Sequence, residues 1–352
     1  RPIDGHGPGL GGDWLQAYAA AGITTDHETL APAEALEKLR LGMRVWLREG
    51  TGARNLVDLL PIVTPETSRR CGLCTDDRHP HDLLDQGHMD HLLRLAVAGG
   101  LDPVTAIQMA TLNVAEAYRL DDRGAIAPGR RADLVVMPGL EQFTAEIVIA
   151  DGRIVAENGS TVGPWPQPEV DPSPVKRPLA TDPAGVDLRI PDPGTAVRLI
   201  GLLQGQILTE HRSERLQAKE GELVADHDLG IVKLAVIERH LGTGNVGLGF
   251  IQGLGPIAGA LASTVAHDHH NLIVAGGDDL SMRTAIAEVV AIGGGAAVAR
   301  GKEVLARHPL PRGGQINDLA RGERCEQHNQ WTQAARSHRC DHPHPQIALS
   351  FF

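Results

Sequence analysis

Apolar residues in the first hundred positions follow two alternating rhythms. Short dense runs at residues 44–48 (Arg-Val-Trp-Leu-Arg) and 71–75 (Cys-Gly-Leu-Cys-Thr) predict strands. Residues 13–21, 31–39 and 87–98 carry the wider spacing of helices, and Pro32 suits the first turn of the second. Strands that alternate with helices imply parallel βα units. A further helix is expected over residues 101–120, with Val104, Ile107, Met109 and Ala110 on or near one face. Strands at 132–137 and 144–150, an Asp151-Gly152 turn and a return strand at 153–157 then predict a small antiparallel sheet.

The proline-rich stretch at 163–193 reads as a linker. Beyond it, strands are expected at 196–203, 234–238, 246–251, 272–275 and 296–299. A helix is expected at 281–292, ended by Gly293-Gly294-Gly295. The last forty residues are polar and His-rich, with one helix near 323–337; a solvated tail is the expectation there. The organisation is therefore 1–122, 123–162, linker 163–193 and 194–352.

Charge and composition remove several partner classes. The formal net charge of -11 argues against a nucleic-acid backbone partner, which needs a basic face. No apolar run reaches the roughly 18 residues that span a bilayer. The four cysteines are too few for a disulfide scaffold in a chain of 352 residues, so a reducing cytoplasm is expected. The chain opens on Arg1 and enters a functional-looking turn at once, which reads as a fragment with its upstream part missing.

The candidate chemistry lies in the spacing of His6, His27, Glu49 and Asp76, which are 21, 22 and 27 residues apart. One βα unit takes roughly 25 to 30 residues, so four polar groups would follow successive strands and converge on one rim of a barrel. Imidazole and carboxylate ligands bind first-row divalent metals. A hydrolytic metal site keeps an open position for water. The plain alternative is two hydrogen-bonding loop histidines and an Asp76 that caps a helix.

Several segments narrow this reading. Asp4-Gly5-His6-Gly7-Pro8-Gly9, Thr25-Asp26-His27-Glu28 and Cys74-Thr75-Asp76-Asp77-Arg78-His79-Pro80 resemble late-strand motifs of bacterial-type adenine deaminases, in the amidohydrolase superfamily. The helix at 103–113 and the Arg123–Val136 stretch resemble amidohydrolases more broadly. Residues 238–247 and 263–271 resemble the extra C-terminal domain of adenine deaminases. The likeness runs from about residue 1 to 311.

The resemblance implies an α/β chain: the C-terminal half of a TIM-like metal-dependent hydrolase barrel, a small β-domain and an additional C-terminal α/β (α+β) domain. It implies His6, His27 and Asp76 as metal ligands, with Asp76 also the proton shuttle and Asp77 the less favoured neighbour. Glu28 would contact the purine or protonate a ring nitrogen; its plain alternative is a helix-start carboxylate. The family site is binuclear, with Mn²⁺ or Fe²⁺, and its substrate is adenine. The remaining ligands of the family, a His-x-His on strand one and a bridging carboxylate on strand four, are absent from this chain. An isolated chain of this kind is expected to be inactive and to bind metal weakly. A cytoplasmic homo-oligomer without membrane or nucleic-acid partners is expected. The alternative is an amidohydrolase acting on cyclic amides, of the dihydropyrimidinase kind.

Other motifs carry plainer expectations. Cys71 and Cys74 read as buried strand cysteines, since strand alternation would turn their thiols apart. The Gly242-x-Gly244-x-x-Gly247 pattern reads as a tight turn, since no phosphate-loop Lys-Ser/Thr follows. The His267-Asp268-His269-His270-Asn271 run is a candidate for a second metal, though neighbouring side chains point to different faces.

Overall fold

The computed structural model describes residues 2–164, 171, 179–267 and 269–352. The chain divides into two compact units, Arg1–Pro168 and Glu169–Phe352.

In the first unit, four strands pair in parallel and in chain order: β1 (Asp4–Gly5), β2 (Thr25–Asp26), β3 (Arg44–Arg48) and β4 (Cys71–Cys74). Helices α1 (Gly12–Ala20) and α2 (Pro32–Arg40) fill the first two crossovers. The third crossover contains the short α3 (Leu56–Leu59). Beyond β4 come α4 (Pro80–Asp85) and α5 (Met89–Ala98). Alternation sorts the two faces of the sheet. Val45, Leu47, Cys71 and Leu73 join the core under the helices, with Leu56, Leu92 and Met109. Trp46 and Arg48 face the other way, paired in register with Gly72 and Cys74. Cys71 and Cys74 thus lie on opposite faces, and burial pushes the Cys71 thiol up to about 12.

The expected helix at 101–120 is interrupted. It forms α6 (Pro103–Ala110), capped by Asp102, and α7 (Leu112–Ala117), with Thr111 out of helical geometry between them. The break follows from a tertiary demand. The buried Asn113 donates to the carbonyls of Ser68 and Cys71 and accepts from Arg69, which holds α7 against the base of β4. The small sheet follows as β5 (Leu134–Val136), β6 (Ile147–Ala150), β7 (Arg153–Glu157) and β8 (Ser160–Thr161), all antiparallel. Asp151 and Gly152 make the β6–β7 turn, both at positive φ.

The second unit is built on an eight-stranded sheet. Its strands are β9 (Val197–Leu202), β10 (Thr209–Glu214), β13 (Ile231–Ile237), β14 (Val246–Gln252), β15 (Ala260–Ser263), β16 (Leu272–Gly276), β17 (Gly295–Arg300) and β18 (Glu303–Pro309). A separate ribbon joins β11 (Ala218–Lys219) to β12 (Glu222–Leu223). The sheet order is β10-β9-β14-β13-β16-β15-β17-β18, and only β9 with β14 is parallel. Both faces are covered. Helix α8 (Asp279–Ala291) packs Met282, Ala285, Ile286 and Val289 against one face. Helices α9 (Arg321–Ser337) and α10 (Pro345–Leu349) close the other with Trp331, Ala335 and Leu349.

Two expectations change here. The last forty residues are no solvated tail, because Trp331, Ala335, Cys340 and Leu349 are buried in the core. The apolar residues of α9 are few, but Trp331 and Ala335 land on the side that covers a bare sheet face, and α10 is buried throughout. Within the stretch expected as linker, residues 165–170 and 172–178 lie outside the described residues. Leu179, Val186 and Leu188 are buried in the α8-side core.

One substitution tests how closely β3 and β4 pack. A Cβ at Gly72 would run into the Trp46 ring. Gly72→Ala should therefore lower stability by about 1–3 kcal/mol, read as a shifted urea midpoint. An unchanged midpoint would show that the ring has room to move.

Candidate functional site

Parallel pairing brings the C-terminal ends of the four strands to one edge of the sheet. His6 follows β1, His27 follows β2, Arg48 ends β3, and Asp76 lies two residues past β4. The His6 and His27 rings meet edge-on with centroids 4.6 Å apart. His27 lies between two carboxylates, with Nδ1 3.2 Å from Asp4 and Nε2 3.2 Å from Asp76. His6 Nδ1 is 3.3 Å from the Glu28 carboxylate. Ligand atoms of His6, His27 and Glu28 all lie within 4.8 Å of one another.

The expected trio is thus brought to one edge, with a change of neighbours. Glu28 is the carboxylate that shares ligand spacing with both imidazoles. Asp76 is outside that group and is held by His27 and by Arg48, at 2.9 Å. Asp77 takes the other guanidinium nitrogen of Arg48 at 2.8 Å, so the two acids divide one cation. Asp76 is fixed at φ 55°, a left-handed conformation that non-glycine residues adopt at a cost.

Glu49 behaves otherwise. It is buried, its carboxylate accepts from the Leu56 backbone at the start of α3, and burial raises its pKa. The residue that reaches the site from β3 is Arg48, one position earlier. Arg48 is almost wholly buried and sits between Glu28, Asp76 and Asp77. Sequence reasoning missed it, as it missed Asp4. Both had a signal in strand alternation. Arg48 shares the face of Trp46, and Asp4 precedes His6 by the two residues of a strand repeat.

The charges reinforce one another. Burial alone would lower the pKa of His27, but hydrogen bonds from both nitrogens to Asp4 and Asp76 outweigh it and push it up to about 10. Burial opposes ionisation of Asp76, yet His27 and Arg48 hold its carboxyl below the usual range. Asp4 is lowered in the same way by His27 and Thr25. Two imidazoles beside carboxylates, at ligand spacing, suit a first-row divalent cation.

Comparison with known proteins gives the arrangement a family setting. Residues 206–352 match the family model described as the adenine deaminase C-terminal domain. Residues 55–155 match that of the amidohydrolase family. The adenine deaminase of Desulfatibacillum aliphaticivorans is 48% identical over 322 residues, covering 90% of this chain and 56% of that protein. The one from Nitratidesulfovibrio vulgaris (strain DP4) is 47% identical over 321 residues, 90% of this chain and 55% of its own length. The one from Methylobacterium nodulans is 45% identical over 356 residues, 100% of this chain and 61% of its own length. The chain is homologous to adenine deaminases. It spans little more than half the length of these curated relatives. A match to the adenine deaminase C-terminal domain disfavours the cyclic-amide alternative.

The remaining motifs resolve into structure. Gly242 and Gly244 lie in the turn from β13 to β14, and Gly247 in β14 itself; the turn folds around Glu238, whose carboxylate accepts from the backbone of His240, Leu241 and Thr243. Those bonds hold Glu238 near a pKa of about 2. In the His-rich run, Asp268 lies outside the described residues. His267 stacks on Phe351, and a ring nitrogen of His269 lies 2.5 Å from the Phe352 carbonyl. No metal group was found there among the described residues. Among the described residues, no helix is long and apolar enough to cross a membrane.

The pairing of His27 with its carboxylates has a pH signature. His27 gains its proton more readily when folded than when unfolded, near 6.5. Its stabilising contribution is therefore complete below pH 6.5 and lost as pH rises through about 10. The His27 ring, followed by NMR, should still be protonated at neutral pH, and Asp76→Asn should bring its midpoint down. An ordinary midpoint in the unsubstituted chain would contradict the paired-carboxylate geometry.

Proposed function

We propose that the protein to which this chain belongs converts adenine to hypoxanthine and ammonia at a divalent metal site, and that residues at the ends of β1 to β4 form part of it. The observation that carries this is the meeting of His6, His27 and Glu28 at ligand spacing beside Asp76, in a chain homologous to adenine deaminases. On this reading the four parallel strands belong to a TIM-like barrel, and their loop ends line its catalytic rim.

The ion, Mn²⁺ or Fe²⁺, supplies a lowered pKa for water and a Lewis acid. His6 and His27 would hold the cation as neutral imidazoles, which requires His27 to give up the proton that Asp4 and Asp76 favour. Asp4 remains as the acceptor for Nδ1 of His27 and fixes the ring orientation. Asp76 would accept a proton from the water that attacks C6 of adenine. It returns a proton to the departing ammonia as the C6–N bond breaks. Arg48 keeps Asp76 anionic and aimed. Glu28 either ligates the cation with the two imidazoles or contacts the purine ring; its place beside His6 favours ligation. The reading carries with it cytoplasmic purine salvage and a homo-oligomeric enzyme.

The test is a chimaera in which this chain replaces the matching part of the Desulfatibacillum aliphaticivorans adenine deaminase. With Mn²⁺ added it should form hypoxanthine from adenine. Asp76→Asn should cut kcat by roughly a hundredfold or more, the range for a positioned proton carrier. A folded chimaera that leaves adenine untouched, or one indifferent to Asp76→Asn, would overturn the assignment.

A further inference from the structure

The two imidazoles lie on separate loops, and each loop is short of regular structure. β1 and β2 contribute two residues each, so strand pairing alone fixes little beyond them. Something else must set the distance from His6 to His27. The structure offers helix α2, which packs a row of charged side chains under both loops.

Lys38 is the centre of that row. Its side chain is fully buried, an unusual state for lysine. Its ammonium donates to the Gly7 carbonyl at 2.8 Å, the residue after His6. It also lies 3.1 Å from the carboxylate of Asp26, the residue before His27. Thr29 and Glu34 complete its surroundings, at 3.2 and 2.6 Å. Asp26, itself fully buried, accepts from the Gly7 N–H at 2.9 Å and from the Glu28 N–H at 2.9 Å. Glu34 accepts from Gly9 N–H in the first loop and Leu30 N–H in the second, both at 3.0 Å. Both backbone polar groups of Gly7 are therefore tied to the His27 loop through one ion-paired cluster.

We propose that Lys38 is a positioning residue: with Asp26 and Glu34, its buried ammonium locks the loop after His6 to the loop around His27 and so sets the imidazole spacing for a divalent cation. The proposal rests on the reading of His6 and His27 as ligands. A cluster serving only to fill a core would be met more simply by apolar side chains, because burying charges offsets most of what their pairing contributes. Outer groups that hold ligands in place typically govern metal affinity by roughly ten- to a hundredfold.

The test titrates the chimaera described above with Co²⁺, followed by visible absorbance, and records thermal unfolding of each variant made in it. Lys233→Met is the control. Lys233 is also a buried lysine, bonded to the Leu188 carbonyl and to Asp279, but in the second unit. Both lysine variants should melt lower. Lys38→Met should weaken Co²⁺ binding about tenfold or more, whereas Lys233→Met should leave it unchanged. Co²⁺ affinity of folded Lys38→Met equal to the unsubstituted chimaera would overturn the proposal while leaving the ligand reading intact. His27→Ala that binds Co²⁺ as well as the unsubstituted chimaera, or no binding by that chimaera at all, would remove both. If Lys38→Met does not fold, Lys38→Arg carries the same comparison. It keeps the charge but cannot place a compact ammonium on Gly7, so its affinity should still fall.

Discussion

Parallel pairing of four strands in chain order is the constraint on which the first unit depends. It sends every strand the same way, so residues far apart in sequence reach one edge of the sheet. What gathers there is a charge lattice rather than a set of isolated ligands. Asp4, Glu28, Asp76 and Asp77 surround His27 and Arg48. Each cation is shared, and each acid has a buried or half-buried partner. His27 supplies positive charge by holding a proton that an isolated imidazole would have lost near neutrality.

Beneath that edge the α2 cluster works at one remove. Lys38, Asp26 and Glu34 touch loop backbone, not the open side of the site. The glycines of the first loop make this possible. At Gly7 a side chain would crowd the Asp26 carboxylate, so a residue with a Cβ there would push apart the two loops that the cluster joins. The second unit uses a different principle. Its strands alternate between two buried faces, so β13, β16 and β17 are apolar along nearly their whole lengths. The helices at its end are then required cover, although the composition of α9 is polar.

The sequence alone determined the features that depend on local spacing. The βα rhythm of the first hundred residues and the strands at β3 and β4 follow from periodicity and turn chemistry, as does the Asp151-Gly152 hairpin. His6, His27 and Asp76 were legible as a group because a βα unit has a nearly constant length. Tertiary structure decided everything that depends on partners distant in sequence. Strands β1 and β2 are too short for a pattern, and β10 is an edge strand with no buried face to mark it. The break between α6 and α7 answers to Asn113 and carbonyls some forty residues away. Arg48 rather than Glu49 faces the site because a one-residue step along a strand reverses the side chain, and spacing cannot resolve a single residue. Nothing in the local sequence separates Lys38 from a surface lysine. Only the meeting of two loops above it makes that position a buried cation, because burial is a property of what packs against a residue and not of the residue itself.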